Sequence, residues 1–258
     1  MIRVFDQIGC PVVLESFPAR IVSLVPSISE FIDYLGCDDK LVGCTKFCIY
    51  PKHLRQSSTI IGGTKNIHID KILDLKPDLV LANKEENVRE QVISIKEFTQ
   101  VYTSDVKTID DALQMNYDIG NLLGKTSAVN VLNEQIKQVA FFNHKIRFRT
   151  AYIIWNDPIM SIGGDTFIHS MLKANGWDNV FEESNRYPTT DFASLRSWAL
   201  DCVMLSSEPF PFTEEHRKQF EVELPGVRIM LVDGSLISWY GNRMLEGISY
   251  LQNLRNSM

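Results

Sequence analysis

A lysine, a thiol and two aromatic side chains lie close together between positions 46 and 51 of the sequence. Phe47 and Tyr50 could lie flat against the ring system of a planar ligand, because aromatic faces stack on extended π-systems. The ammonium group of Lys46 could pair with an anionic group of the same ligand. This segment is therefore a candidate binding loop for a ring-bearing, negatively charged molecule.

A second segment of this kind, residues 238–243, precedes the C-terminal stretch of the chain. Trp239 and Tyr240 offer two adjacent aromatic rings, and Arg243 offers a planar guanidinium that can hold a carboxylate through two parallel hydrogen bonds. The alternative is that both rings pack beneath the last helix. Tyr187, in a polar stretch, is a further aromatic candidate.

The sequence gives little support to catalysis. It contains no Gly-x-Ser-x-Gly nucleophile elbow, no Gly-x-x-x-x-Gly-Lys-Ser/Thr phosphate loop and no His-Glu-x-x-His pair. Cys44 and Cys48, with His53 nearby in sequence, are the nearest approach to a nucleophile or a thiol metal site. A cytosolic enzyme that handles a metal or a tetrapyrrole through these thiols is one alternative function.

The histidines are scattered singly, at positions 53, 68, 144, 169 and 216. Zinc sites usually show ligands a few residues apart, so this spacing does not predict a metal site. A receptor for bare Zn²⁺ or Mn²⁺, assembled from ligands distant in sequence, is the second alternative.

Composition limits the partners and the compartment. The net charge of −6 and the absence of a basic stripe argue against nucleic acid as the main partner. We expect a monomer. The sequence from Met1 does not resemble a signal peptide, and five cysteines cannot all pair in disulfides. Both observations favour a cytoplasmic location, whereas a leader preceding Met1 would indicate a periplasmic or other extracytoplasmic one.

Short apolar runs alternate with segments of helical periodicity, which would position these residues in an α/β fold. Strands that alternate with helices predict a parallel sheet with both faces covered. In the first half the predicted strands are residues 21–25, 41–43 and 79–82, and the predicted helices are residues 28–35 and 69–75. The same alternation returns from residue 153 onward.

Two fragments of the first half recur in the second half in the same order. Residues 72–81 resemble residues 195–205, including an aspartate before the strand, and residues 36–41 resemble residues 176–181. The repetition suggests a duplicated α/β unit, although generic βα units also resemble one another by chance.

Residues 127–148 contain neither Gly nor Pro and begin with Ser127, a good helix N-cap. Val131, Leu132, Ile136, Val139 and Ala140 form an apolar stripe, so we expect one long helix here. It would join a first lobe, residues 1–126, to a second, residues 149–258. The predicted fold is thus α/β, with two Rossmann-like lobes, each on a parallel sheet, joined by one backbone helix.

Open α/β sheets bind ligands at the carboxyl ends of their strands. In two lobes whose strand ends face each other, a ligand would lie in the cleft between them. The segments that follow predicted strands are therefore the candidates, among them residues 46–50, 155–160, 206–208 and 238–243.

The chain resembles the substrate-binding proteins of ABC importers for cobalamin, haem and iron–siderophore chelates. The resemblance extends over nearly the whole chain and rests on residues 6–9, 18–27, 41–46, 61–63, 75–80, 163–167 and 175–181. It implies a two-lobed receptor that captures a metal chelate in the interlobe cleft without chemical change and without a catalytic cofactor.

By position, the resemblance assigns contacts with the ligand to residues of both lobes. They are Phe47, Tyr50, Thr64, Lys65, Trp155, Met160, Tyr187 and Trp239. Lys46, Tyr240 and Arg243 complete the predicted binding set. Cobalamin receptors of this kind carry an aromatic residue where Thr64 stands here.

An ABC permease is the implied protein partner. Receptors of this type present one acidic residue on each lobe to arginines of the permease, and Asp70 matches the first. Residues 192–194 contain no acid in place of the second, and Asp191 would need a shift of register. This departure makes a soluble carrier or sensor of the same chelates an alternative to a transport receptor.

Overall fold

The computed structural model describes residues 1–140 and 147–258, and the chain forms two compact units. The first contains Met1–Val106, Asp110–Glu134 and Tyr240–Asn242, and the second contains Lys107–Ile109, Gln135–Trp239 and Arg243–Met258. Among the helices in the described ranges, none has both the length and the apolar character that a bilayer crossing requires.

The first unit begins with an antiparallel hairpin of β1 (Ile2–Phe5) and β2 (Pro11–Leu14). Its other strands are β3 (Ile21–Ser23), β4 (Leu41–Cys44), β5 (Thr59–Ile60), β6 (Leu79–Asn83) and β7 (Gln100–Ser104). They form one parallel sheet in the order β5-β4-β3-β6-β7. The helices that cover it are α1 (Pro26–Tyr34), α2 (Leu54–Ser57), α3 (Ile69–Leu75), α4 (Arg89–Lys96) and α5 (Ile109–Leu122), with a 3-10 turn at Asp38–Lys40.

The local sequence explains where these elements begin and end. β3 and β6 are buried along their whole length, as expected for central strands of a covered parallel sheet. α1 has Pro26 in its first turn and stops before Gly36, whose φ of 63° suits a helix C-terminus. The predicted strands at 21–25, 41–43 and 79–82 are confirmed as β3, β4 and β6.

The second unit is built on a mixed sheet. Its strands are β8 (Phe148–Asn156), β9 (Ile159–Ser161), β10 (Trp177–Asn179), β11 (Thr189–Thr190), β12 (Cys202–Ser206) and β13 (Arg228–Val232). β10, β8, β12 and β13 are parallel neighbours, while β9 and β11 extend the sheet from β8 with antiparallel pairing. The helices are α7 (Phe167–Ala174), α8 (Phe192–Ser197), α9 (Glu214–Glu223), α10 (Gly234–Ser238) and α11 (Arg243–Asn256).

The two units repeat one strand order. In the first unit β4, β3, β6 and β7 are successive parallel neighbours, and in the second unit β10, β8, β12 and β13 are. The matched strands follow one another in the same chain order. The duplication that the sequence fragments suggested therefore extends to the topology of both sheets.

The helix predicted over residues 127–148 is observed as α6 (Thr126–Ala140). Residues 141–146 lie outside the described residues, and the predicted end at 148 is wrong, because Phe148 pairs with Trp177 at the start of β8. The buried stripe also differs from the predicted one, since the Val131 side chain is 61% exposed. The side chains buried along α6 include Val129, Leu132, Ile136 and Ala140.

Tyr240–Asn242 belongs to the first unit, although the sequence predicted the whole of 149–258 as the second lobe. The Tyr240 hydroxyl donates to Glu86 Oε1 at 3.3 Å. A side chain at Gly241 would lie 3.2 Å from Phe31, so a glycine there allows close contact with α1. These contacts explain why the segment groups with the first unit.

Candidate functional site

Two loops of the first unit line a shared depression of about 490 Å³. One loop follows β4 and the other follows β5, so both leave the carboxyl ends of parallel strands. They bring together four of the predicted site residues, Lys46, Phe47, Thr64 and Lys65. The Phe47 side chain is 49% exposed and can offer a ring face to a ligand.

A glycine pair fixes the two loops against each other. The Lys46 N–H donates to the Gly62 carbonyl at 2.8 Å, and the Gly63 N–H donates to the Asn66 carbonyl at 2.9 Å. Gly62 has a φ of 111°, and a Cβ at this position would lie 2.3 Å from the Asn66 oxygen. Only glycine fits this turn, so the position of the depression depends on it.

The depression is cationic. Lys46 Nζ lies 5.1 Å from the centroid of the Phe47 ring, Lys65 Nζ donates to the Glu85 carbonyl at 2.5 Å and Lys71 Nζ donates to the Ile60 carbonyl at 3.3 Å. A ring or a carbonyl oxygen does not neutralise the charge of an ammonium group. Within residues 1–140 and 147–258, none of these three lysines forms an ion pair with a carboxylate. The depression thus offers three ammonium groups to an anion.

Lys71 and His68 also line the depression, although neither was among the predicted site residues. Both follow β5, a strand of only two residues that has no apolar run to reveal it. Tyr50, in contrast, was predicted as a contact and is 44% exposed, but it does not line the depression.

The thiols next to this loop are fully buried. Cys48 Sγ lies 3.1 Å from Ser29 Oγ and 3.4 Å from Thr45 Oγ1. Hydrogen bonding with Cys44, Ser29 and Thr45 lowers the pKa of Cys48, and the hydrogen bond with Cys48 raises the pKa of Cys44. Because neither thiol reaches the surface, a ligand in the depression cannot contact them.

In the second unit, β8, β9 and β11 bring three predicted site residues to one antiparallel edge. Trp155 and Met160 are directly opposite each other, so their side chains share one face of the sheet. Met160 is also opposite Thr189, two residues after Tyr187. The Trp155 and Tyr187 side chains are 40% and 37% exposed, which leaves ring surface available to a ligand.

Trp239 is held in place by a carboxylate. Its indole N–H donates to Glu208 Oε1 at 3.2 Å, and Ser238 Oγ donates to the same oxygen at 2.6 Å. The Arg243 guanidinium carbon lies 4.9 Å from the centroid of the Trp239 ring. Burial raises the pKa of Glu208. Glu208 lies in the candidate segment 206–208 but was not itself a predicted site residue.

Tyr240 packs in the interior instead of presenting a face. Its side chain is 6% exposed, and its hydroxyl is engaged by Glu86. The burial of this ring disfavours the predicted contact with a ligand, and the ring packs with residues of the first unit.

Asp70, the predicted docking residue, is exposed in the first turn of α3. Asp191 is the N-cap of α8, where its Oδ1 accepts the Ser194 N–H at 2.7 Å. This hydrogen bond lowers the pKa of the exposed Asp191 carboxyl. α3 and α8 precede matched strands, so each unit carries an exposed acid at the start of the equivalent helix.

The chain is similar in sequence to known binding proteins over most of its length. The model of a family described as periplasmic binding protein matches residues 21–221. An uncharacterised ABC transporter substrate-binding lipoprotein of Bacillus subtilis is 26% identical over 268 aligned positions, covering 97% of this chain and 84% of that protein. A vitamin B12-binding protein of Vibrio cholerae is 26% identical over 213 positions, covering 78% of this chain and 73% of that protein.

Among solved structures, a siderophore-binding protein in complex with two acinetobactin molecules and ferric iron has the same fold. Its TM-score is 0.79 at 15% identity, and the match covers 97% of each chain. The Bacillus subtilis relative is a lipoprotein by name and the matched family is described as periplasmic, so these comparisons do not support the predicted cytoplasmic location.

The matched region 21–221 includes the parallel sheet of the first unit and most of the second unit. The sequence resemblance and the α/β architecture agree with this match. The chain belongs to the periplasmic binding protein family.

Proposed function

We propose that this protein binds a metal chelate reversibly and without chemical change, and that an anionic chelate, haem or a ferric siderophore, is preferred over cobalamin. The family and the ligands in the names of its relatives support the chelate class. The observation that carries the preference is the depression with three ammonium groups next to the exposed Phe47 ring.

Charge distinguishes these ligands. Haem carries two propionates, and many ferric siderophores carry carboxylate or phenolate oxygens, whereas cobalamin has one phosphodiester among neutral amides. An ion pair at 4 Å contributes about 1 kcal/mol in water and up to about 4 kcal/mol near a protein surface. Two or three such pairs are enough to select an anionic chelate.

The second unit carries apolar side chains of its own that suit a ring-bearing ligand. Trp155, Met160 and Tyr187 lie together on the β8–β9–β11 edge, and Trp239 carries the Arg243 guanidinium on its face. Flat aromatic contacts suit a porphyrin, corrin or catecholate ring. In the first unit the proposed ligand contacts are Lys46, Phe47, Thr64 and Lys65, and Tyr240 is left out because it is buried.

Transport is the proposed role, with an ABC permease as the partner and an extracytoplasmic location. Substrate-binding proteins of importers are not enzymes, and the buried positions of Cys44 and Cys48 are consistent with a non-catalytic role. Asp70 and Asp191 are the proposed contacts with the permease.

Quenching of tryptophan fluorescence tests the ligand, with haemin, a ferric tris-catecholate, a ferric hydroxamate and cyanocobalamin each titrated at micromolar concentration. Lys46→Gln combined with Lys65→Gln should weaken binding of an anionic chelate at least tenfold, about 1.4 kcal/mol. Lys218→Gln, an exposed lysine on α9, is the matched control and should bind as the original protein does.

Two results would contradict the proposal in different ways. Quenching by cyanocobalamin alone, unaffected by the lysine variants, would refute the preference for anionic ligands but retain a chelate receptor. No quenching or calorimetric heat with any of the four compounds would refute the chelate function itself.

A further inference from the structure

Three side chains of types that can bind a metal ion lie close together on the first unit, away from the depression. Asp33 lies in the last turn of α1, Asp38 begins the 3-10 turn and His53 immediately precedes α2. His53 Nε2 is 2.8 Å from Asp33 Oδ1 and 3.7 Å from Asp38 Oδ2. One donor atom of each residue lies within 4.8 Å of the other two.

The charges in this cluster are not balanced. Two carboxylates face one imidazole, and across the described parts of the chain neither carboxylate has a recorded ion pair with a lysine or an arginine. A neutral His53 leaves two negative charges side by side, and a protonated His53 compensates only one of them. A divalent cation would compensate both.

We propose that Asp33, Asp38 and His53 bind one divalent transition-metal ion, and that Zn²⁺ suits the site best. Zn²⁺ takes imidazole nitrogen and carboxylate oxygen at about 2.0–2.2 Å, so two ligand atoms of a tetrahedral ion lie roughly 3.4 Å apart. The two distances from His53 Nε2, 2.8 and 3.7 Å, lie on either side of this spacing.

The ligand types select among metals. Ca²⁺ and Mg²⁺ prefer six or more oxygen ligands, and an imidazole does not serve them. Borderline metals accept imidazole together with carboxylate, and Zn²⁺ binds such sets more tightly than Mn²⁺ or Fe²⁺. The side chains are 51%, 26% and 45% exposed for His53, Asp33 and Asp38, so an ion can enter and water can complete its coordination.

A bound ion would also act on local structure. It would tie the start of α2 to the end of α1 and to the 3-10 turn, both of which lie earlier in the sequence. An ion that binds only the folded chain raises stability in proportion to the logarithm of its concentration above Kd. The site is independent of the chelate, so its test needs no chelate.

The test is calorimetric titration of ZnCl₂ into the full chain, freed of metal with EDTA, dialysed and kept reduced with a phosphine. We expect one ion per chain with a micromolar Kd, and a rise in the melting temperature on addition of Zn²⁺. Asp33→Asn and His53→Gln should each weaken binding at least tenfold and remove the thermal shift.

Asp39→Asn is the matched control, because it removes the same charge from the same 3-10 turn without removing a ligand. Its Kd should stay within about threefold of the original. Melting temperatures measured in EDTA establish that the variants are folded. Absence of 1:1 binding, binding that His53→Gln leaves unchanged, or equal affinity for Ca²⁺ would each overturn the proposed site.

Discussion

Asp78 and Arg20 are joined by two hydrogen bonds: the Asp78 N–H donates to the Arg20 carbonyl at 2.8 Å, and the Arg20 N–H donates to Asp78 Oδ2 at 2.9 Å. Asp201 and Arg149 form the same pair in the second unit, at 2.9 and 2.7 Å. In both units the aspartate leads into a central strand, so its carboxylate fixes that strand against its parallel neighbour.

Removing either carboxylate should destabilise the protein. Asp78 Oδ2 also accepts the Ala19 N–H at 2.8 Å, so it satisfies two main-chain donors. Hydrogen bonds to charged groups contribute about 1.5–3 kcal/mol, and we expect less here because both carboxylates are exposed. Asp78→Ala should therefore lower the free energy of unfolding by about 1–2 kcal/mol. Asp201→Ala should lower it by about half as much.

Urea denaturation followed by circular dichroism measures this difference, with Asp39→Ala as an exposed control. The asparagine variants keep an acceptor oxygen and should lose less than the alanine variants. Equal stability of Asp78→Ala and the control would show that the hydrogen bonds have no structural role.

The central strands could be predicted from the sequence because each lies in a short, mostly apolar run of residues. Residues 79–83 are apolar apart from Asn83 and lie between a proline-terminated helix and a polar segment, so strand length and position follow from the pattern. The aspartate before the strand was visible in both halves. Its arginine partner was not, because it lies 58 residues away for Asp78.

Several residues of the candidate site could not be predicted, because they are brought together by long-range contacts that leave no periodic pattern in the sequence. Lys71, on α3, lines the depression and donates to the carbonyl of Ile60 in the two-residue β5, a contact that no sequence pattern reveals. Glu208 acquires a role only when Ser238 and Trp239 fold onto it. The incorrect helix end at 148 has the same origin, since Phe148 has helix-compatible neighbours but pairs with Trp177.

Gly62→Ala should disrupt the depression. The added methyl would need a φ of 111° and would lie 2.3 Å from the Asn66 oxygen, so the 61–68 loop must move. We expect at least a tenfold loss of chelate affinity. Gly226→Ala is the matched control, since Gly226 has a φ of 85° but a methyl group added there would meet no atom within 4 Å.

Both variants carry the cost of a left-handed backbone, of order 1–3 kcal/mol. Only Gly62→Ala adds a collision with main-chain oxygen, so the difference between the two in affinity and in melting temperature isolates the collision. If both variants bind the chelate as the original protein does, the 61–68 loop is not part of the site.

The double variant Cys44→Ser, Cys48→Ser separates a receptor from a thiol-dependent enzyme. Both thiols are fully buried, so a receptor should retain its chelate affinity within about twofold. Iodoacetamide should modify Cys48 slowly in the folded state despite its lowered pKa, because access to the buried thiol is blocked. A loss of ligand in the double variant without a loss of folding would favour the thiol hypothesis.

Glu208, which accepts hydrogen bonds from Ser238 and Trp239, should make the stability of the protein depend on pH. Burial and Asp233 raise the pKa of this carboxyl, while hydrogen bonds from Ser238 and Trp239 and the charge of Arg243 oppose the rise. A raised pKa means that the folded state binds the proton more tightly than the unfolded state. The contribution of Glu208 to stability therefore falls as pH rises above its ordinary pKa of 4.5.

Glu208→Gln removes this titration and keeps an acceptor for Ser238 and Trp239. The free energy of unfolding of Glu208→Gln minus that of the original protein should therefore increase between pH 4.5 and pH 7, and the fluorescence spectrum of Trp239 should change little. Glu208→Ala removes the acceptor and should shift the spectrum and weaken chelate binding. If the difference between Glu208→Gln and the original protein is independent of pH, the carboxylate does not titrate in that window. If Glu208→Ala leaves both the spectrum and the affinity unchanged, then Glu208 does not position the indole.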